Sequence, residues 1–95
     1  MRFEWNETKN KLNRLKHGIP FQVACQAFND PFCFTIPDRK TRDEDRLWTI
    51  GRLRNLTIIV VVHTTQIDEG EEVIRIISAR KATPRERKLY EEADE

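Results

Sequence analysis

Arg80 and Lys81 close the apolar, β-branched run VIRIISARK, so two cations stand where a strand must end. A guanidinium offers a planar fork of donors that fits phosphate or carboxylate, whereas an ammonium is a compact point charge. The pair therefore suits anion binding. Two other segments carry comparable chemistry. RLWTIGR brings Arg46 and Arg52, and VVVHT brings His63, a ring that titrates near neutral pH and can move protons. The chain has no glycine-rich phosphate loop, no G-x-S-x-G and no H-E-x-x-H. Cys25 and Cys33 lack a metal-ligand spacing and are expected as buried or half-buried thiols.

The strands must decide which of these groups meet. If RN closes a two-residue hairpin, Leu53 faces Leu56, and pairing continues as Arg52 with Thr57, Ile50 with Ile59, Trp48 with Val61 and Arg46 with His63. One face then carries Arg46, Trp48, Arg52 and His63. The other carries Leu47, Thr49, Leu53, Leu56, Ile58, Val60 and Val62, an apolar surface on which helices should pack. The next strand returns antiparallel and brings Arg80 near Arg52. Seven residues of strand span roughly 23 Å, which separates His63 from Arg80. Two polar clusters result: Arg52 with Arg80, adjoined by Lys81, and Arg46 with His63. Plainer roles stand beside both. The arginines suit a solvated sheet edge or ion pairs to Glu86, and His63 suits a strand-end histidine held by a backbone carbonyl.

Ninety-five residues allow one domain, residues 1–95. Asn6 suits a helix N-cap and Gly18 a stop, with Thr8, Leu12 and Leu15 sharing one face between them. His17, just before the stop, complements the helix dipole. A second helix is expected from Pro20, with Phe21, Ala24, Cys25 and Phe28 along one side. Four strands follow, FCFTI, RLWTIGRL, LTIIVVVHTT and EVIRIISAR. The polar run DRKTRDEDR fits a solvated loop, and QIDEGE reads as a longer connection. Thr83, Pro84 and Glu86 fit a capping box that opens a last helix. The expected class is α+β, an antiparallel sheet with helices mainly on one side.

Seventeen Lys and Arg against sixteen Asp and Glu leave a net charge of +1, so attraction to nucleic acid must come from local clustering. No apolar run approaches the ~18 residues that cross a bilayer, and MRFEWNETKNK has no signal-peptide core. A soluble, cytoplasmic protein is the expectation.

Taken in order, FEWNETKNKLNRLKHGIPF, AFNDP, WTIGR, VVVHT and RIISARKATPRERKLYEE resemble the BrnT family of bacterial type II toxins over nearly the whole chain. The KHG and IISAR blocks carry most of the likeness. Pro20 departs from the family, which often has a small capping hydroxyl there. The resemblance implies a RelE-like fold: two N-terminal helices, an antiparallel sheet and a C-terminal helix. It also implies a metal-independent endoribonuclease without cofactors that inhibits translation, with RNA as substrate and ribosome-bound mRNA among the forms that RNA can take. In RelE-like toxins the exit of the last strand and the helix after it form part of the RNA site. Arg80, Arg52 and His63 are then the expected catalytic residues, and Arg46, Lys81, Arg87 and Tyr90 the expected RNA contacts. His63, Glu86 and Tyr90 are the nearest candidates for proton transfer. The implied partner is a BrnA-type ribbon-helix-helix antitoxin, through which alone the chain would reach DNA. The alternative is a non-catalytic antitoxin-binding module that acts in autoregulation.

Overall fold

The computed structural model describes residues 1–42 and 45–93. In chain order it contains strand β1 (Arg2–Trp5), helix α1 (Glu7–His17), a single helical turn α2 (Phe21–Ala24) that continues as a 3-10 helix (Cys25–Asn29), strands β2 (Phe34–Pro37), β3 (Leu47–Arg52), β4 (Ile58–Asp68) and β5 (Glu71–Lys81), and helix α3 (Pro84–Ala93). The sheet order is β1-β5-β4-β3-β2. The expected class, α+β with a C-terminal helix, is present, but the sheet is mixed: β1 joins its edge parallel to β5. Arg2-Phe3-Glu4-Trp5 alternates as a strand should, with Phe3 and Trp5 packed on the core and the charges outward. Four residues are too few for periodicity to declare it.

The second helix differs from expectation as well, being one α turn prolonged as 3-10. Pro20 at its start supplies no side-chain cap. Asn10 of α1 does so instead, its Oδ1 accepting the Phe21 N–H at 2.8 Å. Asn13 accepts from the Ala79 N–H and donates to the carbonyls of Ile19 and Ala79. These bonds turn α1 about its axis: Asn10 and Asn13 are buried, while Leu12 and Leu15 are 60% and 84% exposed. The leucines expected to face the core face solvent.

The β3–β4 register is shifted by one from the two-residue hairpin. Leu53 N–H donates to the Thr57 carbonyl, and Leu56 adopts φ +73°, the left-handed residue of a three-residue loop. Arg52 therefore pairs with Ile58, Trp48 with Val62 and Leu47 with His63. Because side chains alternate, the shift moves every β4 side chain to the other face relative to β3. The QIDEGE segment is also shorter than expected, since β4 and β5 are joined by Glu69 and Gly70 alone, both at positive φ.

Both sheet faces are covered. Ile59, Val61, Ile74, Ile76 and Ala79 pack against Phe21, Ala24 and Ala27 on one side; Ile50 and Val60 pack against Tyr90 of α3 on the other. At Gly51 the 3-10 helix comes so close that an added Cβ would lie 2.6 Å from the Ala27 carbonyl oxygen. A bulge in β5 decides the face of Arg80. Val62 pairs with Ser78 but His63 with Ile76, so Ile77 is an extra residue. Ile76 and Ala79 thus share a face despite odd spacing, and Arg80 emerges on the α3 side.

Candidate functional site

Arg80 is held from three directions. Its Nη1 and Nη2 donate to Glu86 Oε1 and Oε2 at 2.7 and 2.9 Å, and Nη1 also reaches the Lys81 carbonyl at 3.3 Å. Its guanidinium carbon lies 5.2 Å from the centre of the Trp48 ring, a cation-π distance. Glu86 is the third member of the capping box: it accepts the Thr83 N–H at 2.8 Å, while Thr83 Oγ1 accepts the Glu86 N–H. The first turn of α3 and the end of β5 are thereby locked together through one carboxylate. Hydrogen bonds from Arg80 lead the causes that lower the Glu86 carboxyl to about 2, and the same contact raises the Arg80 pKa. Both groups are charged at neutral pH.

Among the described residues, Glu86 and the Lys81 carbonyl are the hydrogen-bond partners of Arg80. Glu86 takes the end of the fork. The Nε–H and the outer Nη2–H, which lie on one side edge of the guanidinium, remain for a second bidentate contact of the kind phosphate makes.

The other expected residues are distributed around this point. Arg52 lies on the same sheet face as Arg80, but Ile50 and Val60 separate them, with Tyr90 packed over both. Arg52 lines a different hollow with Arg54, Gln26 and Asp30. The expected Arg52–Arg80 cluster is therefore two places on one face. Lys81 and Arg87 come together in a third hollow beside Thr57 and Glu91. Tyr90 is buried, and its hydroxyl donates to Asp30, which also accepts the Arg52 N–H at 2.8 Å. Burial raises the Asp30 pKa, but the hydrogen bonds from Tyr90 and from the Phe32 and Arg52 N–H groups outweigh it and leave the carboxyl below its usual value.

His63 does not join Arg46. The register shift turns it into the face covered by α2 and the 3-10 helix, where it is 2% exposed and its ring meets Phe28 edge-on at 5.1 Å. Its Nε2 lies 2.7 Å from Thr49 Oγ1, which lies 2.7 Å from Thr35 Oγ1. Burial pushes the imidazole below its ordinary value. Arg46 precedes β3 on the Trp48 side, its carbonyl accepting the Asp38 N–H. Among the described residues no group of three or more His, Cys, Asp or Glu side chains could hold a metal ion, and Cys25 and Cys33 are free thiols.

Trp48 was legible on the cationic face but its part was not. The alternation in RLWTIGR places it beside Arg46 and Arg52; only the β5 bulge, which has no sequence signature, brings Arg80 over its ring.

The family described as ribonuclease toxin, BrnT, of type II toxin-antitoxin system matches residues 5–86. Among solved structures, the chain is similar to the crystal structure of the Brucella abortus ribonuclease toxin BrnT, with 30% identity and a TM-score of 0.60, covering 87% of this chain and 97% of that one. No curated protein matches.

Proposed function

The chain belongs to the BrnT family of ribonuclease toxins of type II toxin-antitoxin systems, and from that premise we propose that it cleaves RNA at the β5 exit, with Arg80 as the phosphate-stabilising group. RNA carries its own nucleophile, the 2′-OH, which attacks the adjacent phosphorus and expels the 5′ oxygen of the next nucleotide. The protein must then hold the scissile geometry and stabilise an anionic, five-coordinate phosphate. A preorganised donor pair aimed at that charge is the most effective device available. The observation that carries the reading is the double clamp on Arg80, with Glu86 at its end and Trp48 against its face, because it fixes the guanidinium while leaving a side edge for two phosphate oxygens. No metal ion enters the step, since the guanidinium supplies the positive charge.

In this reading Lys81 with Arg87, and separately Arg52, hold flanking phosphates from the two hollows that they line. Glu86 is too well stabilised as a carboxylate to be a strong base, and serves as an acceptor that keeps Arg80 in place. His63, buried on the opposite face, supports β3 through Thr49. A toxin of this class works with an antitoxin. We assign to it a BrnA-type ribbon-helix-helix partner that covers the cationic face, supplies DNA binding and silences an activity that otherwise blocks translation in the cytoplasm.

Purified, partner-free protein incubated with RNA should yield 5′-hydroxyl ends opposite 2′,3′-cyclic phosphate ends. Cleavage leaving 5′-phosphates would exclude attack by the 2′-OH. Intact RNA would leave the chain as an antitoxin-binding module without catalysis.

A further inference from the structure

Beside Arg80 the sheet surface opens into an apolar slot that the phosphate chemistry does not use. Ile36 of β2 pairs directly across from Trp48 of β3. These two residues, with Pro37, Arg39 and Lys40, line an open hollow of about 340 Å³, within the ~300–1,000 Å³ typical of small-ligand sites. Lys40 Nζ lies 5.5 Å from the Trp48 ring centre. Arg80 touches the same ring but is not part of the slot's lining. An aromatic ring, an aliphatic wall and a rim of cations is the combination by which proteins hold a single-stranded nucleotide: the base stacks and the backbone meets the positive charge.

We propose that this slot is the base-binding subsite, taking the nucleobase next to the phosphate engaged by Arg80. The proposal rests on the ribonuclease reading and deepens it. Charge argues for RNA as occupant: Arg39, Lys40 and Arg80 all adjoin Trp48, and a chain of phosphates neutralises them while its base covers the apolar floor. Stacking on Trp48 would couple the two sites, since the same indole would position the base and braces the guanidinium. Sequence preference would then arise from stacking strength and the shape of the Ile36–Pro37 wall.

The chain has two tryptophans, so a Trp5→Phe background isolates Trp48 fluorescence. Short single-stranded RNA should quench it at physiological salt, and an abasic ribose-phosphate strand of equal length should not. Ile36→Ala, which removes a wall of the slot without touching Arg80, should raise KM for RNA cleavage by roughly ten-fold, the usual cost of a missing apolar contact in a binding pocket, and leave kcat within about twofold. Equal quenching by the abasic strand, or RNA cleavage without any quenching, overturns the subsite and leaves the nuclease reading intact. Quenching without cleavage supports the subsite and sinks the nuclease reading. Quenching by the antitoxin but not by RNA assigns the slot to the protein partner and overturns the proposal.

Discussion

The chemistry of single residues is separated by the sheet. Glu86 and His63 lie on opposite faces, and their ionisation should be read in two pH windows. His63 is held neutral by burial, with a folded pKa below the ordinary 6.5. The unfolded chain therefore takes up a proton that the folded chain refuses, and stability falls as pH drops below about 6.5. Glu86 has a folded pKa of about 2 against an ordinary 4.5. Its contribution is present above about 4.5 and is lost as pH falls toward 2, on the order of 1–2 kcal/mol after allowance for solvent screening. Thermal unfolding from pH 8 to 3 should show Tm falling in both windows, and His63→Gln should remove the upper one. A His63→Gln profile identical to the parent's would show that His63 does not titrate with folding.

At the level of elements, hydrogen bonds override hydrophobic pattern in α1. Asn13 ties α1 to β5 and to the Ile19 carbonyl, so Asn13→Ala strands three buried backbone groups and should cost at least about 2 kcal/mol. Leu15 is 84% exposed, and Leu15→Lys should change stability by less than about 0.5 kcal/mol. Chemical denaturation of the two variants reads the contrast, and the reverse order would mean that α1 packs through its leucines. Gly51→Ala should cost about 1–3 kcal/mol by forcing the 3-10 helix off β3; an unchanged denaturation midpoint would deny that contact. The capping box at Thr83 and Glu86 was legible because both its residues lie in one short window, as was the N-cap at Asn6. The β3–β4 register was not, since Leu56 in a left-handed conformation defies its residue type. Nor was the parallel docking of β1, or the bulge at Ile77, because both are set by partners distant in sequence. Those unreadable features are what separated His63 from Arg46 and brought Arg80 to Trp48.

Over the whole molecule, a net charge of +1 leaves several cations gathered on one sheet face and its rim. Arg39, Lys40 and Arg80 surround Trp48, while Lys81 with Arg87 and Arg52 with Arg54 occupy neighbouring hollows. Such a surface suits a short single strand better than a duplex, whose tight binding depends on neutralising many phosphates at once. The isolated chain should therefore fail to retard an operator-length DNA duplex at physiological salt, whereas its complex with the antitoxin should retard it. Retardation by the chain alone would assign the cationic face to DNA. The central claim, that Arg80 stabilises the reacting phosphate, is tested most directly by RNA cleavage with Arg80→Lys. Lysine keeps the charge but not the fork, and loss of one preorganised donor at a developing anion lowers the rate by about a hundredfold or more. The account predicts that loss in a variant that still binds antitoxin and keeps its melting temperature within a few degrees; full cleavage by Arg80→Lys would contradict it.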